Sequence, residues 1–275
     1  MKTFRSFSIT LLLLVIIHTA AVGRPEFENP FIKSVNGSTG QQIKVLFIGN
    51  SYTYFNDLPS IVSRLAADRK GNKLLETAAI TKGGATLKFH WEEGFALEKL
   101  KQERWDYVVL QEQSLLPINN RDIMHTYARL FDAEIKRAGA KTIFFLTWAR
   151  QNRPEMQQAL TEAYFSIARE LGAMVAPVGI AWQNALKENP KLVLHDRDQS
   201  HPNFAGSYLA ASVFYALLYD RSPEGLAEKG PKKEPATSEN DLSNSPDAVN
   251  LTDADAAFIH RVAWKTVKTQ NAFKR

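Results

Sequence analysis

The chain has 275 residues, 44% of them hydrophobic and 23% charged, enough to bury the core of one sizeable α/β domain without needing a second. Its 34 basic and 29 acidic residues leave a net charge of +5, and no run of five or more like charges gathers that excess, so the balance reads as solubility and excludes a nucleic-acid surface. Cysteine is absent, which excludes thiol catalysis, thiolate metal sites and disulfides together.

Residues 1–23 have the three-part layout of a secretory signal: Lys2 and Arg5, the apolar run from Ile9 to Ile17, then Ala20, Ala21 and Gly23. The run is shorter than the roughly 20 residues a spanning helix needs. Cleavage and export to a periplasm or the medium are therefore expected, with no membrane insertion of the mature chain. An exported chain without disulfides has to be held by its core, which suits a bacterial periplasmic or secreted protein. Residues 24–42 form a polar lead, and residues 43–275 are expected to make a single domain.

That domain opens on the apolar run Ile43 to Ile48, a buried strand that stops at Gly49. Helical periodicity follows from Asp57 to Lys70. Further β-rich runs come at Leu75 to Ile80, Tyr107 to Leu110, Thr142 to Leu146 and Ala173 to Val178, with helices predicted at Arg121 to Ala138, Pro154 to Leu171 and Asn203 to Tyr219. The helices are expected to turn apolar stripes to the core. Five alternations of strand and helix predict a parallel sheet covered on both faces, with sites at the carboxyl ends of the strands. Residues 221–250 are rich in Pro, Ser, Asn, Glu and Lys and read as a flexible insertion. A last helix is predicted from Thr252 to Gln270, with Thr252 as N-cap and Asp255 three residues on.

Chemistry concentrates at two places. The first strand delivers Gly49-Asn50-Ser51-Tyr52-Thr53 to the rim of the sheet, and Gly49 is expected to permit a tight turn there. A serine so placed serves as a nucleophile, as an ordinary turn residue or in a phosphate-cradling loop. Thr53 stands where a Gly-x-Ser-x-Gly elbow needs its second glycine, which disfavours an α/β-hydrolase. Far downstream, Asp198-Gln199-Ser200-His201-Pro202-Asn203 sets a carboxylate and an imidazole three residues apart in one loop. That spacing lets Asp198 hold one ring nitrogen of His201 and leaves the other free to take a serine proton. Surface capping by His201 and a metal site made with His195, Asp196 and Asp198 are the alternatives, although Arg197 interrupts such a cluster and no closed ligand set appears.

With Ser51 first and Asp198 to His201 last on an alternating chain, the sequence resembles the SGNH hydrolase superfamily, the GDSL-type esterases, over most of the mature length. Gly49-Asn50-Ser51 resembles that family's Gly-Asp-Ser block with Asn for Asp, and Asp198 and His201 match its Asp-x-x-His block. The resemblance implies a flavodoxin-like three-layer α/β/α sandwich on a five-stranded parallel sheet, and a catalytic triad of Ser51, Asp198 and His201. It further implies an oxyanion hole from the backbone N–H groups of Ser51 and Gly84, the latter in Lys82-Gly83-Gly84-Ala85-Thr86, with the Gln113 amide where the family usually has Asn. A strand-capping role is the alternative for Gln113. His90, Trp91, Trp148 and Arg150 follow strand ends and are candidates for a substrate pocket, Trp148 above all. No metal or organic cofactor is implied. The expected substrate is a small-molecule or carbohydrate ester with a short acyl group. A lipid acyl hydrolase or thioesterase and an inactive carbohydrate-binding protein are the rival readings, and the polar 221–250 segment makes a poor lipid lid.

Overall fold

Strand β1 (Ile43–Gly49) is the centre of the molecule because its side chains alternate between two cores. In this computed structural model, which describes residues 42–226 and 251–272, Val45 and Phe47 enter one hydrophobic cluster while Leu46 and Ile48 enter the other. The same alternation holds at β3 (Tyr107–Leu110) and β4 (Lys141–Phe145), so both faces of the sheet are dry. With β2 (Leu75–Thr81) and β5 (Met174–Ala176) the order across the sheet is β2-β1-β3-β4-β5, every neighbouring pair parallel. This is the expected flavodoxin-like three-layer sandwich. The strand order reverses between β1 and β3, which opens a crevice beyond their carboxyl ends.

Ser51–Tyr54 forms the short helix α1, and a single 3-10 turn leads into α2 (Leu58–Asp68). One face of the sheet carries α2, α8 (Val178–Glu188), α9 (Phe204–Tyr219) and α10 (Asp253–Ala272). The other carries α3 (Leu87–Glu93), α4 (Phe95–Gln102), α6 (Arg121–Arg137) and α7 (Met156–Leu171), with the short α5 (Leu116–Asn119) between β3 and α6.

The expected apolar stripe is wrong for α9, whose residues from Ala205 to Leu218 are all buried. A helix buried all round needs cover on its outer side as well. Here α10 supplies it, with Ile259, Val262, Ala263 and Val267 in the same cluster as α9. The cap of α10 forms as the sequence suggests: Thr252 Oγ1 accepts the Asp255 N–H at 3.1 Å and donates to Asp255 Oδ2 at 2.7 Å. The predicted signal segment, nearly all of the polar lead, and residues 227–250 of the predicted insertion lie outside the described residues.

Candidate active site

The carboxyl end of β1 is built to hold Ser51 at the rim. Asn50 caps α1, its Oδ1 accepting the Tyr52 N–H at 3.1 Å, while its Nδ2 donates to the Ala85 carbonyl at 3.0 Å. Its own N–H donates to Gln111 Oε1 at 2.8 Å, and Thr53 Oγ1 donates to the same oxygen at 2.9 Å. Gly49 is a glycine for a different reason from the expected tight turn. Its backbone is not left-handed, but a Cβ there would lie 2.5 Å from both Gln111 Oε1 and Thr53 Oγ1. The close approach of Gln111, not the curvature of the chain, excludes a side chain. Thr53 likewise earns its place by that hydrogen bond, where an elbow glycine would offer none.

Before α9 the chain makes a narrow loop, closed by an antiparallel bridge between His195 and Pro202 and by the Asp196 N–H donating to the His201 carbonyl at 2.8 Å. Asp198 Oδ1 accepts the N–H groups of Ser200 at 2.9 Å and His201 at 2.8 Å, and its Oδ2 meets His201 Nδ1 in a short hydrogen bond. His201 Nε2 lies 2.8 Å from Ser51 Oγ. Side chains 150 residues apart in sequence thus form one hydrogen-bonded chain from carboxylate through imidazole to hydroxyl. Partial burial works to raise the Asp198 carboxyl, but the His201 ring and the two backbone donors outweigh it and hold it below the usual carboxylate value, in its charged form.

The imidazole is gripped by aromatic rings. Phe55 stacks on His201 with centroids 4.2 Å apart, and Tyr52 meets it edge to face at 5.5 Å. The Tyr52 hydroxyl reaches Ser200 Oγ at 2.7 Å, so the residue after the serine also ties down the histidine loop.

Across the crevice, Gly84 has φ +69°, a left-handed conformation that suits glycine, whereas Gly83 does not. Among the described residues neither the Ser51 N–H nor the Gly84 N–H donates to a protein acceptor. Gln113 Oε1 accepts the N–H groups of Leu115 at 2.8 Å and Leu116 at 3.0 Å, so its carbonyl caps α5. That fixes the amide and leaves Nε2 as the end without a protein acceptor among the described residues.

No family model matches the chain, and no curated protein matches it. Solved structures do. A protein of Slackia heliotrinireducens assigned to the SGNH hydrolases is 25% identical, with a TM-score of 0.56, and the match covers 65% of this chain and 100% of that one. The chain shares the fold of that SGNH hydrolase. A DUF4886 family protein from Bacteroides uniformis shares the fold more extensively, with a TM-score of 0.63 over 84% of this chain and 96% of that one, at 17% identity. An acetyl-xylooligosaccharide esterase from a Geobacillus species also shares it, at 20% identity and a TM-score of 0.51, covering 68% of this chain and 97% of that one.

Trp148 does not line the crevice as expected. It is 1% exposed, clamped between Tyr52 at 4.6 Å and Trp182 at 4.2 Å in near-parallel stacks, and its Nε1 donates to the Ser200 carbonyl at 3.0 Å. Both ring faces are spent on packing, so it braces the histidine loop from behind. His90 is also structural: its Nε2 donates to the Gly49 carbonyl at 2.7 Å, since a carbonyl can only accept, and burial lowers its basicity. His195 is committed to the Ala149 carbonyl at 3.0 Å. Arg150 follows in the same loop, and its buried Nε has no hydrogen-bond partner. Gln111, Glu112 and Tyr52 are the residues that sequence reasoning left without a role. For Gln111 and Glu112 the signal was faint but present, since polar residues directly after the apolar run of β3 are costly to bury without a purpose.

Proposed function

We propose that the protein is a serine esterase in which Ser51 is the nucleophile, His201 the general base and Asp198 the group that orients the imidazole and stabilises its cation. The observation that carries this reading is the unbroken hydrogen-bonded chain from Asp198 through His201 to Ser51, with Ser51 Oγ 2.8 Å from His201 Nε2 at the carboxyl edge of the sheet. As Ser51 Oγ attacks the ester carbonyl carbon, its proton passes to His201 Nε2 and the carbonyl oxygen takes up the negative charge. The Ser51 and Gly84 N–H groups, with Gln113 Nε2, are the donors assigned to that oxygen. Collapse expels the alcohol, which leaves with the proton from His201. Water, deprotonated by the same imidazole, then releases the acid from Ser51.

Acetyl is the acyl group proposed and a carbohydrate the alcohol. Expected export and a fold shared with an acetyl-xylooligosaccharide esterase support that choice, and a periplasmic or extracellular location is proposed with it. The test is hydrolysis of a small chromogenic acetyl ester by the protein and by folded Ser51→Ala and His201→Ala variants. Turnover that falls by at least about a thousandfold in both supports the triad. Turnover that survives Ser51→Ala, or is absent from the folded wild type, sinks it.

A further inference from the structure

Glu112 stands directly after β3 with 0% exposure, and no step of the proposed reaction uses it. Its carboxyl group spans two separate turns. Oε1 accepts the Gln113 N–H at 2.6 Å and the Leu87 N–H at 3.2 Å, and Oε2 lies 3.3 Å from the same Leu87 nitrogen. Leu87 begins α3, three residues after Gly84, so one side chain joins the turn that carries Gly84 to the turn that carries Gln113. Asn50 holds the first of these turns from the other side through the Ala85 carbonyl. Three elements that surround Ser51 are therefore cross-tied by two buried side chains.

We propose that Glu112 is a positioning residue that fixes the separation of the Gly84 and Gln113 donors across from Ser51. The proposal rests on the reading of those two groups as oxyanion donors. Such donors act only when held in place before the charge develops, and misplacement by about 1 Å costs on the order of a hundredfold in rate. Here burial raises the carboxyl to about 7, against two backbone hydrogen bonds that lower it, so the site pays a cost for an acid. An ionised carboxylate is the stronger acceptor, and the clamp tightens as Glu112 loses its proton. The titratable side chain packed against it is Tyr164, whose hydroxyl accepts the Glu112 N–H at 3.2 Å and is itself held neutral by burial.

The experiment measures kcat and KM for the acetyl ester with wild type, Ser51→Ala, Glu112→Gln and Glu112→Ala, and records thermal unfolding and the amide shifts of Leu87 and Gln113 on the same preparations. Glu112→Ala is expected to lower kcat by on the order of tenfold to a hundredfold with KM held within about twofold. Glu112→Gln, which keeps a carbonyl acceptor in place, restores kcat to within about fivefold. In the wild type the Leu87 and Gln113 amide shifts move together between about pH 6 and 8, and in Glu112→Gln they do not. A folded Glu112→Ala with unchanged kcat, a change in KM alone, or wild-type amides that stay still over that range would each overturn the proposal. If Glu112→Ala does not fold, the wild-type titration and the Gln variant decide. Turnover that depends on Ser51 but not on Glu112 removes this role and leaves the esterase standing, whereas turnover independent of Ser51 removes both.

Discussion

Asn50 shows how one atom can matter beside a nucleophile. Its position is Asp in the family block that the sequence resembles, yet here the side chain both accepts the Tyr52 N–H and donates to the Ala85 carbonyl, and an ionised carboxylate cannot do both. Asn50→Asp sets a buried carboxylate oxygen against that carbonyl, at a position 3% exposed. The expected outcome is a loss of about 2 kcal/mol of stability and on the order of tenfold in kcat, read by thermal unfolding and by acetyl-ester turnover. A variant as stable and as active as the wild type would show that the Ala85 tie does not position the turn. Gln111 belongs to the same scale. Its one oxygen serves Asn50 and Thr53 at once, which is why a glycine precedes Asn50 and a threonine follows Tyr52.

At the scale of elements, the histidine loop is rigid because its neighbours hold it. The Trp148 indole donates to Ser200, Gln151 donates through its backbone to the Gln199 carbonyl at 2.9 Å, and Asn203 caps α9 through the Gly206 N–H at 3.0 Å. Trp148→Phe keeps an aromatic ring in the stack but leaves the Ser200 carbonyl without its indole donor. A loss of about 1 kcal/mol in stability and a few-fold fall in kcat are expected, and an unchanged kcat would confine Trp148 to packing. The contact of α10 on α9 carries its own pH dependence. His260, 1% exposed, bonds the Tyr208 hydroxyl at 2.8 Å, and burial, helped by Arg69, lowers its pKa from 6.5 to about 4. Because the folded value is depressed, the stability it supports is present above pH 6.5 and is lost as pH falls from 6.5 through about 4. The loss is on the order of 3 kcal/mol, and unfolding curves over that window should be flatter for His260→Gln than for wild type.

For the whole molecule, Glu112 sets the opposite slope. Its folded pKa is raised from 4.5 to about 7, so its contribution is fully present below pH 4.5 and is lost as pH rises through about 7. Glu112→Gln should match the wild type in stability near the bottom of that window and exceed it by on the order of 3 kcal/mol above the top, measured by denaturant unfolding at a series of pH values. An equal margin at every pH would show that the carboxyl ionises without cost. The two windows overlap between pH 4.5 and 6.5, where their opposite slopes offset one another, so stability should be nearly flat there and fall on either side.

Much of this architecture was legible in the sequence. Alternating apolar runs and periodic stretches predict five parallel strands and their main helices, because each pattern must bury its apolar side whatever its neighbours are. Ser51, Asp198 and His201 stand out because a short polar block directly after a strand and an Asp-x-x-His loop are local signals. What only the tertiary structure decided is what depends on distant partners: that Trp148 is clamped between Tyr52 and Trp182 and so closed to the crevice, that Gly49 makes room for Gln111, that α9 is covered on its outer side, and that Glu112 bridges Leu87 and Gln113. The reason is physical. Periodicity along a chain records which side of an element is buried, whereas the partner of a buried polar group or an aromatic face is fixed by which elements the strand order sets side by side.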